Sequence, residues 1–84
     1  MKARIVHLGK LGKRLEGPAI GKLLAMFLNN CRKENLVAVI DCKGVEKIGE
    51  AVIRSARAFS GEKPEIYIAD AKEEVAAAIM QILK

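Results

Sequence analysis

The feature that most constrains this chain is the apolar run LVAVI at residues 36–40. The run is continuous rather than alternating, and Asp41 ends it. A strand with one solvated face alternates apolar and polar residues, whereas a strand of a parallel sheet that is covered on both faces is apolar throughout. The run therefore predicts a central parallel strand with other layers packed on both of its faces.

Helical patterns lie on both sides of this run. An apolar stripe of helical period predicts a helix from residue 18 onward, and Pro18 suits its first position because the N–H that proline lacks would be unbonded there. A second helix is predicted at about 49–59, and Asp70 with Glu73 has the form of a capping box at the start of a third. The apolar stripes of the three helices are Ile20, Leu23, Leu24, Phe27, Leu28 and Cys31; Ile48, Val52, Ala56 and Phe59; and Val75, Ile79, Ile82 and Leu83.

Strands are predicted at both ends of the chain as well. ARIVHL at residues 3–8 and EIYIA at residues 65–69 are rich in apolar and β-branched residues, and the short KRLEG segment favours a second strand that closes a hairpin with the first. Alternation of strand and helix over residues 36–83 calls for right-handed crossovers and parallel pairing. The predicted fold is one α/β domain over residues 1–84, a small mixed sheet of three to four strands with amphipathic helices in the order β(β)αβαβα.

The excess positive charge is confined to the N-terminal segment. The net charge is +5, and the bases that carry the excess, with no acid among them, are Lys2, Arg4, Lys10, Lys13 and Arg14. Such a segment fits either a solvated basic surface or contact with nucleic acid or another anionic partner, although the two phenylalanines and one tyrosine offer little base stacking. Since the sequence contains neither a membrane-spanning apolar stretch nor a signal-peptide pattern, the expected location is the cytoplasm.

Residue types that carry catalysis are few. His7 is the single histidine and lies inside a predicted strand, which favours a structural role. Cys31 and Cys42 lack zinc-ligand spacing and are expected to be small buried hydrophobes. The N-terminal glycines match neither pattern of a nucleotide-binding loop. Asp41 and Asp70 follow parallel strands, where α/β sheets bind ligands, but the favoured interpretation is that Asp41 caps a turn and Asp70 caps a helix. We therefore assign no catalytic, metal-binding or cofactor-binding residue and expect no enzyme.

The segment VIDCKGVEKIGEAVIRSA at residues 39–56 resembles the regulatory loop of the STAS domain, the fold of bacterial anti-sigma factor antagonists. That family has a hydrophobic strand that ends in Asp, a short turn with a small residue and Val, and a hydrophobic residue that leads into Asp-Ser-Ser-Gly at a helix start. The matching residues are Val39, Ile40, Asp41, Gly44, Val45 and Ile48. The resemblance implies a STAS-like fold and a non-enzymatic regulatory module that binds a protein partner, such as a kinase-like anti-sigma factor or a related regulator.

Two departures from the family affect this interpretation. Gly-Glu-Ala-Val stands at residues 49–52 in place of Asp-Ser-Ser-Gly, so the serine that a kinase partner phosphorylates is missing. Glu50 either supplies a fixed, partial substitute for the phosphate charge or merely favours the helix dipole. The chain also ends where many family members add a strand and a helix, which predicts an exposed sheet edge and a homodimer through it. The residues predicted to dock the partner are Asp41, Gly44, Gly49, Glu50, Ile53 and Arg54.

The alternative is binding of nucleic acid or another anionic partner through the N-terminal bases. A salt series separates the two hypotheses, because contacts to phosphates weaken steeply as salt rises.

Overall fold

The computed structural model describes residues 2–84, and it confirms the α/β class and the order of the elements. The strands are β1 (Ala3–His7), β2 (Arg14–Leu15), β3 (Val37–Asp41), β4 (Lys47–Ile48) and β5 (Ile66–Ala69), and the α-helices are α1 (Pro18–Lys33), α2 (Glu50–Phe59) and α3 (Glu73–Ile82). A single 3₁₀ turn, Leu8–Leu11, follows β1. Strands β1, β3 and β5 form a parallel sheet in that order.

The helices cover one face of this sheet. Right-handed crossovers place α1 and α2 on the same face of the sheet, because both connect strands that are added in the same direction across the sheet. The hydrophobic core agrees, because it takes from the three strands only the side chains of one face and combines them with residues of all three helices. The strand residues of that face that enter the core are Val6, Ala38, Ile40, Ile66 and Ile68.

The other face of the sheet corrects the prediction made from the apolar run. Within residues 2–84 all three helices pack on the first face, so the central strand is not sandwiched between two layers. Ile5, Val39 and Tyr67 form one row across the second face. Ile5 is 54% exposed and Tyr67 58% exposed, while Val39 is half-buried between them. The apolar run therefore forms a strand whose second face is apolar but is not covered by another layer.

The predicted N-terminal hairpin is wrong. Arg14–Leu15 does form a short strand, but it pairs in parallel with Lys47–Ile48 rather than with β1. The 3₁₀ turn Leu8–Leu11 lies between β1 and β2, so no tight hairpin turn joins these two strands. Both sheets are therefore parallel rather than mixed in the described part of the chain.

Helices α1 and α2 form the closest contact between helices. Gly21 permits it, because a Cβ at this position would overlap the carbonyl oxygen of Val52 and lie 2.8 Å from the Cβ of Ser55. The helix α1 begins at Pro18, as predicted. Its predicted stripe is only partly core, however, since Leu23 is 54% exposed.

The predicted faces of the other helices also need correction. In α2, Val52 and Ala56 are buried as expected, but Ile48 belongs to β4 and Phe59 is 54% exposed. In α3 the capping box does not form, because the helix begins at Glu73 and Asp70 adopts a left-handed conformation with φ of 53°. The turn after β5 takes up this residue, which leaves the capping position to Lys72.

The predicted burial is confirmed for three of the four residues of the α3 stripe, with Leu83 only half-buried, and for both cysteines. Val75, Ile79 and Ile82 of α3 are fully buried. Both cysteines, Cys31 and Cys42, are free thiols in the core, as expected for small hydrophobes.

Candidate functional site

The segment between β3 and α2 is held in place by backbone hydrogen bonds to β2. The carbonyl oxygen of Lys13 accepts the N–H groups of Glu46 and Lys47 at 2.7 and 3.2 Å. The carbonyl oxygen of Leu15 accepts the N–H of Gly49, the residue that precedes α2, at 2.8 Å. These bonds form a clasp, β2 with β4, and it fixes the position from which α2 starts.

The beginning of the same segment carries a histidine–aspartate pair. His7 and Asp41 end the neighbouring strands β1 and β3 in register, and their side chains meet with Nδ1 of His7 2.7 Å from Oδ2 of Asp41. The backbone N–H of Lys43 donates to Oδ1 of Asp41 at 3.1 Å, as expected for an aspartate that caps a turn. The N–H of Lys43 first, and then the hydrogen bond from His7, lower the pKa of the Asp41 carboxyl.

This pair orients an imidazole at the carboxyl edge of a parallel sheet. With Asp41 ionised, Nδ1 of His7 is the donor of this hydrogen bond and Oδ2 of Asp41 is the acceptor. Cys42, which follows Asp41 directly in the chain, has a nucleophilic sulfur, but its side chain is buried. Burial first, and then the charge of Asp41, raise the pKa of the Cys42 thiol to about 11, so the thiol stays protonated at neutral pH.

The later part of the segment lines a groove on α2. Glu50, Ile53 and Arg54 border a cavity of about 400 Å³ together with Arg57, Ala58 and Gln81, so the groove runs along α2 toward the C-terminal end of α3. A carboxylate oxygen of Glu50 lies 3.7 Å from the guanidinium of Arg54, and both side chains are largely exposed. An exposed pair of this kind contributes about 0.3–0.5 kcal/mol, so both groups are available to a partner.

A second groove lies on the other flank of α2. It has a volume of about 350 Å³ and includes Arg54 as well, which places that residue between the two grooves. The exposed ring of Phe59 lies at this flank, with the Lys22 ammonium 5.0 Å from the ring centroid. The outer surface of α2 therefore offers a mainly polar hollow on one side of the Arg54 guanidinium and a mainly apolar one on the other.

The predicted docking residues are thus divided between two places. Asp41 and Gly44 lie beside the end of β1 and the 3₁₀ turn, where Gly44 forms the exposed turn with φ of 86°. Glu50, Ile53 and Arg54 are brought together in the groove on α2. Gly49 joins the two places through its bond to the clasp.

The five N-terminal bases are not brought together. Lys2 and Arg4 lie at the start of β1 and Lys10, Lys13 and Arg14 beyond its end. The part of β1 that runs from Arg4 to the end of the strand at His7 is about 10 Å long. A guanidinium nitrogen of Arg4 is 3.0 Å from a carboxylate oxygen of Glu34.

The surroundings of Arg14 are mixed in charge. This residue shares a surface depression with acids and other bases, namely Glu46, Lys47, Lys72, Glu73 and Glu74. The N-terminal bases therefore do not form one continuous positive surface.

Sequence reasoning missed the pairing of His7 with Asp41 and the contribution of Arg57 and Gln81 to the groove. The first had a signal, because both residues end strands that were predicted to lie in one parallel sheet. The second depends on how α2 and α3 pack, which local patterns do not encode.

Two kinds of feature are absent from residues 2–84. No group of three or more His, Cys, Asp or Glu side chains in this range is arranged to hold a metal ion. None of the helices in the same range combines the length and the apolarity needed to cross a bilayer. Comparison with family models, with curated proteins and with solved structures finds no match for this chain.

Proposed function

We propose that this protein is a non-enzymatic regulatory module that binds a protein partner through the outer surface of α2, in the manner of an anti-sigma factor antagonist. The observation that carries the proposal is the groove in which Glu50, Ile53 and Arg54 meet. These three residues come from the part of the sequence that resembles the STAS regulatory loop and the helix after it. The partner is a kinase-like anti-sigma factor or a related regulator.

The charge of the groove indicates the chemistry of the contact. Arg54 and Arg57 supply two bases against the single acid Glu50, and Ile53 and Ala58 supply apolar surface between them. A partner segment that fits has an apolar side chain for the hollow and carboxylates for the guanidinium groups, which bind carboxylates in a bidentate manner.

The missing serine gives the surface a fixed state. Glu50 is exposed in the first turn of α2 and carries one negative charge, whereas a phosphate carries nearly two charges and more acceptor oxygens. Its 3.7 Å approach to Arg54 offsets part of this charge. We therefore expect the module to bind its partner without a phosphorylation step, and Glu50→Ala to weaken the binding.

The experiment that tests this proposal uses the tagged full chain to capture partners from extracts of its native cells. Variants that each replace one base by one acid are compared with the wild type. Arg54→Glu and Arg57→Glu alter the groove, and Lys33→Glu makes the same change at an exposed position of α1. We expect a protein that the wild type and Lys33→Glu retain equally and that the two groove variants lose at least tenfold. Equal recovery by all four chains contradicts the proposal.

A salt series on the captured complex tests the alternative in the same experiment. Proteins that neutralise several phosphates lose orders of magnitude in affinity between about 50 and 200 mM salt. The logarithm of the binding constant falls by roughly one for each phosphate contact and each tenfold rise in salt concentration. The alternative function would be favoured over protein docking if the wild type captured nucleic acid and if this capture were lost at higher salt and in the variants Lys10→Glu and Lys13→Glu.

A further inference from the structure

Strand β1 is an open edge of the three-stranded sheet. In the part of the chain that the structure describes, it pairs with β3 alone. The N–H of Val37 donates to the carbonyl oxygen of Lys2 at 2.9 Å, and in a parallel ladder this sets the alternation along β1. Lys2, Arg4 and Val6 bond to β3, so the backbone N–H groups of Ala3, Ile5 and His7 point outward. An edge of this kind is a template for another strand.

The opposite edge of the sheet is a poorer template. Strand β5 is shorter, Pro64 lies two residues before its start, and Asp70 turns the chain away with φ of 53° directly after its end. Both residues interrupt extended backbone, which is how edge strands are commonly shielded. The edge at β5 is therefore the less open of the two edges of this sheet.

Apolar side chains flank the β1 edge on both faces of the sheet. On the helix face a groove of about 390 Å³ lies between β1, the 3₁₀ turn and α1. Leu11 and Leu23 border it and are 48% and 54% exposed, and Val6 and Ile20 line it as well. On the open face Ile5 is 54% exposed. Burial of this surface requires a partner that brings a strand and, on the helix face, apolar side chains.

We propose that the partner is a second copy of this chain, with the two β1 strands paired antiparallel about a twofold axis at Ile5. The outward N–H and C=O groups of Ile5 then bond to those of Ile5 in the second copy. The N–H of His7 donates to the carbonyl oxygen of the other copy's Ala3, and the reverse bond follows by symmetry. A closed twofold pairing of this kind uses the same surface on both copies.

The self-complementarity of the surface favours a second copy over an unrelated strand. Antiparallel pairing places the two α1 helices on the same face with their Leu23 grooves toward each other. It also places the His7 and Lys10 end of one β1 beside the Arg4 and Glu34 end of the other. A standard interface of about 800 Å² per partner is roughly 15% of the surface of 5361 Å².

Disulfide trapping tests the register of the pairing. Hydrogen-bonded antiparallel partners have Cα atoms about 5.5 Å apart, within disulfide range, so Ile5→Cys is expected to form a covalent dimer under mild oxidation. Tyr67→Cys is the matched control, because its side chain is equally exposed but lies on β5. The native cysteines are buried, so the wild type should remain uncrosslinked. We expect Ile5→Cys to crosslink at least tenfold faster than Tyr67→Cys.

Sedimentation equilibrium over a concentration series tests the dimer itself. Ile5→Pro removes an outward N–H but no bond to β3, and Leu23→Lys puts a charge into the groove. We expect each to raise the dimer dissociation constant at least tenfold, whereas Met80→Lys, at an equally exposed position of α3, should leave it unchanged. Far-UV circular dichroism checks that each variant is folded.

The outcomes decide the proposal independently of the function of α2. A wild type that stays monomeric up to millimolar concentration overturns it. A dimer that Ile5→Pro and Leu23→Lys leave intact, or that crosslinks as fast through Tyr67→Cys as through Ile5→Cys, overturns it as well. The residues tested here lie outside the groove of Arg54, so loss of the dimer and loss of partner capture are separate results.

Discussion

The close contact between α1 and α2 leads to a prediction about Gly21. In an exposed helix position, replacing glycine by alanine stabilises a protein by up to about 1 kcal/mol, because the backbone of glycine loses more freedom on folding. At Gly21 the new Cβ would overlap the Val52 carbonyl oxygen and crowd the Cβ of Ser55 at 2.8 Å. Since a backbone oxygen cannot rotate away, α1 and α2 would have to separate.

The magnitude follows from these two opposing terms. Overpacking of a well-packed core costs about 1–3 kcal/mol. After the gain in helix propensity we expect Gly21→Ala to lower the free energy of unfolding by up to about 2 kcal/mol. With a urea m-value of about 1 kcal/mol/M for a domain of this size, the unfolding midpoint falls by up to about 2 M.

Urea titration followed by far-UV circular dichroism measures this shift. Ala58→Gly, at an exposed position of α2, is the control that isolates helix propensity, and it should cost about 1 kcal/mol or less. If Gly21→Ala raised the midpoint by the amount that Ala58→Gly lowers it, propensity alone would govern both sites. The packing argument for Gly21 would then be refuted.

Three further predictions concern single side chains. Because the pKa of Asp41 is lowered in the folded protein, its contribution to stability is present above the unfolded pKa of about 3.9 and is lost as pH falls toward the folded value. Asp41→Asn should therefore reduce the pH dependence of the unfolding midpoint in this window. A variant with the same pH dependence as the wild type would contradict the lowered pKa. Cys42, with its buried thiol and pKa of about 11, should resist a thiol reagent at pH 8 until urea unfolds the chain; labelling of the native protein at the rate of a free thiol would exclude this burial. Ser55→Ala removes the hydrogen bond from the hydroxyl to the Pro18 carbonyl oxygen at 2.8 Å and should lower the free energy of unfolding, measured in urea, by about 1 kcal/mol. An unchanged free energy of unfolding would contradict this contribution and would mean that water replaces the hydroxyl.

Patterns with a clear period predicted most of the fold. The central strand, the start of α1 at Pro18 and the buried side of α3 all follow from local spacing, because each pattern lies within one element. The pairing of Arg14–Leu15 did not follow, because its partner Lys47–Ile48 lies beyond α1 and β3 in the chain. Two-residue strands carry too few residues to show a period.

Two other predictions were wrong because a local pattern is compatible with more than one structure. Asp70 and Glu73 have the spacing of a capping box, but the left-handed turn at Asp70 starts the helix later. The run at residues 36–40 gave the right strand and the wrong surroundings, because an apolar side chain such as Val39 is equally compatible with a covered and with an open face.

The site was predictable in part. Glu50, Ile53 and Arg54 share a groove because they lie on successive turns of one helix, which their spacing already indicates. Whether Asp41 and Gly44 join them depends on where β1 and the 3₁₀ turn lie, and only the assembled structure answers that question.

The parallel pairing of every strand has a consequence for how the protein reaches this structure. No two strands that pair in residues 2–84 adjoin in sequence, and a helix separates the members of each pair. The sheet therefore has no hairpin that could form early by itself, and each pairing must close a long loop before it gains any hydrogen bonds. We expect folding in milliseconds or longer rather than microseconds, with the contact of α1 and α2 formed before β5 joins the sheet.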